Sequence, residues 1–517
     1  MNDITAFFAF LKYCLGYKEN MSRVIAGMNW HELYSFASKQ AILGLCFEGI
    51  ERLGEEYPEE LKQNPIGREL LMTWMGKAQQ IRRQNMKVNA VAGKLFSMLR
   101  EDGLRCCILK GQGNALMYPN PYSRTPGDID VWIDASRERI MEYASKKFEL
   151  GDDIRLQHLE TSLDGVPVEL HFFPCSMNNP IYHTRLQKWF RRNADLQCSH
   201  IVSLPDGAGD IAIPTSSFNI VYQLCHLYHH FFDEGVGMRQ IIDYFLVVND
   251  FSKNVFLNTD LSNHPVNFSN HPVPLSKEGS TFSPSPSSSG SGDVTAPTRC
   301  SEPLRSKDGG PSKVSPDCAG WDRLDAIEDT SSASASITSV SSAFTTDSSA
   351  STALDVVQRE LKYLGLWKFA GAVMYVLHEV LGLAEEKMIA PMDEKRGTLL
   401  LAEILNGGNF GKHFTKYAGF THQSMGKKYF LKIWRNMHFV RYYPAEALSE
   451  PIFRTWHFFW RLKHRRLSLG VFSWSPMLAG FKVSQMTQIS SLLFLVPQIS
   501  QIYTDFVLFG IESAWYL

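Results

Sequence analysis

The sequence predicts a mostly helical α+β protein in which a small mixed β-sheet lies between two helical regions. Apolar residues recur at intervals of three and four over residues 1–95, which is typical of helices that bury one face. Residues 96–175 instead contain short apolar or alternating runs separated by glycine turns, which predict strands. After residue 175 the helical spacing returns, and a long serine-rich stretch interrupts it.

The composition is that of an ordinary globular protein. Of 517 residues, 44% are hydrophobic and 20% are charged, and the chain is long enough for two or three domains that each bury a core. The formal net charge of −1 argues against a protein whose whole surface binds nucleic acid or an anionic membrane. The nine cysteines are scattered without a CxxC pair, which is typical of reduced thiols in a cytosolic protein.

Neither end of the sequence predicts export or a membrane span. Asp3 stands where a signal peptide needs basic charge, and Lys12 interrupts the apolar run that follows. The uncharged segment 483–504 contains four serines, four glutamines and Pro497, which make it too polar to cross a bilayer. We therefore expect a cytoplasmic protein without stable membrane association.

The first predicted unit is an N-terminal helical region, residues 1–95. Trp30, Leu33 and Phe36 share one helical face, and Leu43 and Cys46 continue the same spacing. Helical periodicity then persists until Asp102-Gly103, a dipeptide that favours the end of a helix.

The second unit, residues 96–175, is predicted to be a small α/β core. Cys106–Leu109 is a fully apolar run typical of a buried strand, and Ser136 is a suitable cap for the helix after the second strand. Asp164-Gly165 joins two alternating runs and is a strong hairpin signal. The predicted order is strand, turn, short helix, strand, helix and hairpin, over residues 106–109, 110–111, 112–116, 128–133, 136–148 and 155–173.

The rest of the sequence divides by composition. Helical patterns predict a helical region at 176–251 and a C-terminal helical region at 356–470. Between them, residues 252–355 are rich in serine, proline and glycine and poor in aromatics, so we expect a long disordered insert. Residues 471–517 form a tail without a clear pattern.

Three acidic residues are the first candidate site. Side chains alternate along a strand, so Asp128 and Asp130 project from the same face, about 6–7 Å apart. Glu169 lies in a later predicted strand, two residues before His171. Carboxylates that converge need a cation, and an open set of oxygens suits Mg²⁺ carrying a polyphosphate. Solvated acids at strand ends are common, so an Asp-x-Asp pair alone is weak.

A glycine turn is the second candidate. Lys110-Gly111, with Gly113 nearby, leads from a strand into a short helix, where backbone N–H groups can approach a phosphate. Lys110 adds a positive charge, and Arg124 on the facing loop adds a planar guanidinium. The same turn is also an ordinary strand-to-helix connection. The turn, the acidic strand and the third acid together are far more specific than any one of them.

A helix rich in histidine is the third candidate. His226 and His230 share a face at i and i+4, the spacing of a metal pair, although packed or hydrogen-bonded histidines are the commoner case. Arg239 and Asp243 have the same spacing, which favours an ion pair. If that helix faces the cleft, Arg239 reaches a triphosphate. His171 either orients a carboxylate, acts as a base or has a structural role.

These motifs resemble the polymerase-beta-like nucleotidyltransferase superfamily, whose signature is a glycine turn, a Dh[DE] strand and a later acidic strand. More closely, LKG…Y…P…R…GDIDVWI, VELH and HLYHHFFDEGVGMRQIIDY are similar to a bacterial family known only as uncharacterised nucleotidyltransferases. The resemblance covers about residues 20–250 and 355–465. It implies metal binding by Asp128 and Asp130, a third acidic role for Glu169, and phosphate contacts at Lys110 and Gly111.

The sequence departs from the superfamily pattern at two places. The superfamily usually has Gly-Ser or Gly-Gly at the turn, whereas this chain has Gly111-Gln112 and therefore lacks a serine hydroxyl for the phosphate. Lys110 would compensate, as the Lys-Gly turn does in abortive-infection-type toxin relatives. The serine-rich insert is the second departure, because it interrupts the helical region.

The favoured interpretation is a nucleotidyltransferase that uses Mg²⁺ or Mn²⁺. It would move a nucleoside monophosphate from an NTP to an acceptor hydroxyl and release pyrophosphate. The acceptor stays open between a small molecule, a sugar, a tRNA end and a protein side chain. One alternative is a non-catalytic nucleotide-binding or toxin-type interaction protein on the same scaffold. Another is a DxD glycosyltransferase, for which the sequence leaves too few strands before the motif.

Overall fold

The computed structural model describes residues 3–150, 155–261, 353–409 and 433–468, with the backbone alone at 3, 255–261, 458–459 and 461–468. Its helices and strands, in chain order, are α1 Asp3–Cys14, α2 Ser22–Ala26, α3 Trp30–Lys39, α4 Leu43–Glu56, α5 Pro58–Gln63, α6 Arg68–Glu101, β1 Cys106–Leu109, α7 Gly111–Ala115, β2 Ile129–Ile133, α8 Arg137–Lys147, β3 His158–Leu163, β4 Val166–His171, α9 Pro180–Ser199, β5 Ile201–Ser203, β6 Asp210–Ala212, α10 Ser216–Asp233, α11 Met238–Leu261, α12 Ala353–Tyr363, α13 Trp367–Leu381, α14 Glu394–Gly407 and α15 Pro444–Ser468.

Helices α1 to α6 confirm the helical start of the chain. Asn29 caps α3, because its side chain accepts a hydrogen bond from the backbone N–H of Glu32 at 3.2 Å. The last of these helices, α6, is 34 residues long and ends at Glu101, with Asp102 as its C-cap. Gly103 follows with a φ of +75°, a conformation that glycine adopts without strain and that turns the chain into β1.

The four-stranded sheet has the order β1-β2-β4-β3. Strand β1 is antiparallel to β2, β2 is parallel to β4, and β4 is antiparallel to β3. The mixed sheet and its hairpin are therefore confirmed. Asp164 and Gly165 at the hairpin turn both have positive φ, at +50° and +72°, which is the backbone that a two-residue turn of this kind requires.

The two faces of the sheet pack against different cores. Ile129, Val131 and Ile133 belong to a small core that they share with α6. Trp132 projects from the opposite face into the large helical core, where its ring stacks on Phe218 of α10 with centroids 6.1 Å apart. Because successive side chains of a strand alternate, Asp130 lies on the same side as Trp132. The acidic face of the sheet is thus the face that α10 covers.

The sequence did not predict a second sheet. Strands β5 and β6 pair antiparallel, with Ile201 opposite Ala212, inside the region 176–251 that was expected to be helical. Each strand has three residues, which is too short for an alternating pattern to stand out.

The two ends of the predicted insert, residues 252–355, are helical in the structure. Helix α11 continues to Leu261 and α12 begins at Ala353, so helices extend into both ends of that stretch. The remainder of the insert and the tail 471–517 lie outside the described residues. Helices α12 to α15 agree with the helical pattern expected for 356–470. Among the helices of the described ranges, none combines the length and hydropathy that a membrane span requires.

Candidate active site

The strand register brings Asp130 and Glu169 side by side. Asp130 of β2 is the direct partner of Glu169 on the parallel strand β4. His171, two residues further along β4, lies between the two carboxylates. Its Nε2 atom is 3.0 Å from Asp130 Oδ1 and 3.2 Å from Glu169 Oε2. Two acids from distant parts of the sequence therefore share one imidazole.

Lys110 lies on the other side of Asp130. The register pairs Leu109 of β1 with Asp130, so the next residue reaches the same carboxylate. Its Nζ atom is 3.1 Å from Asp130 Oδ1 and donates a hydrogen bond of 2.6 Å to Nε2 of His226 on α10. Lys110 has a φ of +52°, an unusual conformation for a residue with a side chain, and Gly111 follows at +36°.

Asp128 lies at the exposed start of the acidic strand. Repulsion from Asp130, partial desolvation by the surrounding groups and repulsion from Glu169 together raise the pKa of Asp128 to about 6. The pKa of Asp130 is lowered instead. Burial acts to raise this pKa, but the charge of Lys110 and the hydrogen bond from His171 outweigh the effect of burial. The site thus combines one carboxylate that is firmly ionised with one that resists ionisation.

The histidine between the acids carries a positive charge at neutral pH. Burial lowers the pKa of His171, but hydrogen bonds to Asp130 and Glu169 outweigh it and raise the pKa to about 9. The pKa of Glu169 is lowered, because the hydrogen bond and charge of His171 exceed the effect of burial. His158 on β3 adds a second imidazole, with Nδ1 3.3 Å from Glu169 Oε2.

Arg124 lies apart from the three acids, in a buried ion pair. Its Nε and Nη2 atoms donate to the two carboxylate oxygens of Asp243 at 2.9 and 2.8 Å, and the Tyr118 hydroxyl donates to the same carboxylate at 2.8 Å. The sequence suggested that Asp243 would pair with Arg239. The charge of Arg239 does lower the pKa of Asp243. The two guanidinium hydrogen bonds to this carboxylate come from Arg124, 119 positions away, a contact that spacing on one helix cannot reveal.

The other two residues predicted to bind phosphate have defined neighbours. Arg239 donates from Nη1 to the backbone carbonyl of Thr125 at 3.0 Å, which supports the loop that leads to Asp128. A Cβ atom at Gly113 would lie 3.0 Å from Cγ2 of Ile213, so this glycine permits close packing of α7 on the segment after β6. The structure therefore groups Lys110 with the acids, and places Arg124, Arg239 and Gly113 around them.

His226 and His230 form a line that leads away from Lys110. Their Nε2 atoms are 3.3 Å apart, and Nδ1 of His230 is 3.6 Å from Glu234 Oε2. Burial and the charge of Lys110 hold the pKa of His226 well below its usual range, so its ring is neutral and accepts the lysine hydrogen bond. The i, i+4 spacing identified this pair, but its link to Lys110 was not predicted.

A cavity of about 320 Å³ adjoins the third acid. Gln157 and His158 line this cavity, and they also contact the acidic cluster, since Gln157 Nε2 is 3.3 Å from His171 Nδ1. The opposite wall comes from α10 and α15, with residues Phe232, Asp233, Glu450, Phe453 and Arg454.

Comparison with known families is consistent with this geometry. Residues 26–262 match a family model described as uncharacterised nucleotidyltransferase. This stretch is similar to the nucleotidyltransferases. It contains the glycine turn, the acidic strand, Glu169 and helix α10, and it spans slightly less than half of the chain. The match supports a nucleotidyltransferase activity in general.

Other comparisons add little. Three chains of solved structures match, among them an antigenic nucleotidyltransferase-like protein from Paracoccidioides brasiliensis. Its identity is 16% over 34% of this chain and 90% of that one, with a TM-score of 0.22, a value too low to establish a common fold. No curated protein matches the sequence.

Proposed function

We propose that the protein is a metal-dependent nucleotidyltransferase that transfers a nucleoside monophosphate from an NTP to an acceptor hydroxyl. The observation that carries the proposal is the direct pairing of Asp130 with Glu169, with Lys110 Nζ 3.1 Å from Asp130 and Asp128 close enough to be repelled by both acids. Oxygen ligands beside a lysine are the groups that a metal–triphosphate complex requires.

The residues present fit a divalent metal ion. Asp128 and Glu169 are accessible enough to meet a ligand, and the raised pKa of Asp128 shows that the acids repel one another. A dication beside them would relieve this repulsion, and carboxylate oxygens are the ligands that Mg²⁺ and Mn²⁺ prefer. Bound there, Mg²⁺ would neutralise phosphate charge and make the acceptor hydroxyl a better nucleophile.

The protein residues would position the reactants. Lys110 has an 18% exposed side chain, so its ammonium can exchange its contact with Asp130 for a phosphate oxygen. In the transfer, the acceptor oxygen bonds to the α-phosphorus and the bond from that phosphorus to the β-bridging oxygen breaks. Pyrophosphate leaves with those electrons, and the hydroxyl proton passes to water.

We further propose that the acceptor approaches from the side of the cavity. The positions of Gln157 and His158 support this direction of approach, because both residues line the cavity and contact the acidic cluster. Its wall comes from helices α10 and α15, outside the sheet, so the sheet would hold the nucleotide and the helices the acceptor. A volume near 320 Å³ suits a small molecule or one residue of a larger one.

The test combines purified full-length protein, Mg²⁺, each of four α-labelled NTPs and a filtered cell extract that supplies acceptors. We expect one class of molecule to acquire label while pyrophosphate is released. Asp130→Asn should lower transfer by about 10²-fold or more, since it removes a charge that no neighbour replaces.

Asp164→Asn is the matched control, because it makes the same chemical change at the exposed hairpin turn, where asparagine tolerates the positive φ. The proposal fails if no NTP donates label, or if Asp130→Asn transfers as well as the control. Tight NTP binding without any transfer would instead identify a nucleotide-binding protein.

A further inference from the structure

His158 is a buried imidazole whose hydrogen-bonding capacity is unused. The residue is 9% exposed, and among the described residues neither of its ring nitrogens has a hydrogen-bond partner. Burying such nitrogens without a partner is unfavourable, so they usually bond to a side chain, a water molecule or a metal ion. Nδ1 of this ring lies 3.3 Å from Glu169 Oε2 without forming a hydrogen bond.

The hairpin builds a group of possible metal ligands around this ring. His158 and His171 are direct cross-strand partners on β3 and β4, with ring centroids 5.0 Å apart. Glu169 is two residues before His171, so its side chain projects from the same face of the sheet. One ligand atom from each of these three residues lies within 4.8 Å of the other two.

Two of the three separations match those of a coordination shell, and the third is within 4.8 Å. Glu169 Oε2 is 3.2 Å from His171 Nε2 and 3.3 Å from His158 Nδ1. Two ligands that are each about 2.1 Å from one ion, in tetrahedral or octahedral geometry, lie about 3.0–3.4 Å apart. A small movement of three side chains would therefore place all three atoms on a single ion.

We propose that His158, Glu169 and His171 form a binding site for a transition-metal dication, with Zn²⁺ as its representative. Two imidazoles and one carboxylate are the ligands of zinc and its neighbours in the first transition row, whereas Mg²⁺ prefers oxygen alone. The site shares Glu169 with the proposed magnesium site but does not depend on nucleotidyl transfer. A carboxylate has two oxygens and can serve two neighbouring cations.

Hydrogen bonding alone explains only part of the cluster. An imidazolium at His171 that donates to Asp130 and Glu169 accounts for its short contacts. It does not account for His158, whose nitrogens remain without partners beside a carboxylate. A metal ion gives both rings a role and replaces the proton of His171 at the same position.

The test uses full-length protein that has been treated with chelator, dialysed and loaded with one equivalent of Zn²⁺ in the presence of a large excess of Mg²⁺. We expect one zinc ion per chain after gel filtration. Zinc-edge X-ray absorption should show scattering from two imidazoles. Oxygen scatterers alone, or loss of the zinc to Mg²⁺, would overturn the proposal without any need for a variant.

A second measurement compares the zinc affinity of His158→Asn and His31→Asn by competition with a chromophoric chelator. His31 is exposed on α3, so its variant is the matched control. We expect at least about a tenfold loss of affinity for His158→Asn only. Equal affinity in both variants would contradict the proposal. Asp128→Asn should retain zinc while losing transfer, so failure of this site and failure of the proposed function are distinguishable.

Discussion

The buried pair of Arg124 and Asp243 should be the costliest charge contact to break near the site. Both side chains are less than a tenth exposed, at 5% and 7%, and the guanidinium binds the carboxylate through two parallel hydrogen bonds. Burial acts against the ionised carboxyl, but the charge of Arg124 and its hydrogen bonds outweigh it and lower the pKa of Asp243. We therefore expect the main role of Arg124 to be structural.

Replacing one partner leaves the other as a buried charge that has lost its hydrogen-bonded counterion. We expect Arg124→Gln to lower the free energy of unfolding by about 3–5 kcal/mol, the range for broken buried pairs. Tyr118→Phe removes one hydrogen bond to the same carboxylate and should cost about 1.5–3 kcal/mol. Urea denaturation monitored by circular dichroism, with the midpoint and slope fitted separately, measures both changes.

Arg155→Gln is the matched control for that experiment. Arg155 forms an ion pair with Glu160 in which both side chains are more than 40% exposed, so its loss should cost about 0–1 kcal/mol. The reasoning is refuted if Arg124→Gln unfolds as easily as Arg155→Gln does. If Arg124→Gln kept its stability but lost NTP affinity, Arg124 would be a phosphate-binding residue, as the sequence pattern predicts.

Four further predictions concern Asp128, Lys110 and the histidine that contacts Lys110. The pKa of Asp128 is raised to about 6, from a usual 3.8, so Mg²⁺ affinity measured by calorimetry should rise between pH 5 and 7 as this carboxyl ionises. Asp128→Asn should weaken Mg²⁺ binding and flatten its dependence on pH. The same shift makes unfolding easier as the pH rises from about 4 to about 6, since over this range the folded state holds a proton that the unfolded state has lost, and urea midpoints of Asp128→Asn should lack that decline. Lys110→Met should raise the KM for NTP about tenfold or more in steady-state kinetics, while circular dichroism stays unchanged. His226→Leu removes the acceptor that holds Lys110, so it should raise KM by less than Lys110→Met does, and an equal or larger effect would assign the histidine a more direct role.

Strand alternation made the acidic site predictable from the sequence. The pattern of β2 places Asp128 and Asp130 on one face, and the apolar run of β1 ends one residue before Lys110. The contact between Asp130 and Glu169 follows once β4 is known to lie parallel beside β2, which the later acidic strand suggested. The roles of these residues remain proposals, but their convergence needed only local patterns and one strand pairing.

Long-range contacts explain what the sequence could not reveal. Arg124 meets Asp243 and Lys110 meets His226 across more than a hundred residues, and nothing in the local spacing of either residue marks its partner. The sequence does not single out His158, because its position beside His171 depends on the register of β3 against β4. Gly113 belongs to a glycine turn in sequence, yet its neighbour is Ile213, directly after a strand too short to predict.

These contacts also show that the sheet and the following helices work as one unit, although composition divides them at residue 175. Helix α10 covers the apolar residues on the acidic face of the sheet, where Phe218 stacks on Trp132. The same helix provides His226 to Lys110, and α11 provides Asp243 to Arg124. A sheet without α10 and α11 would expose Trp132 to water and leave Arg124 without its counterion, which both cost free energy. The helices therefore position the charged groups of the site as well as enclose it, and a substitution in α10 can alter the site without touching an acid.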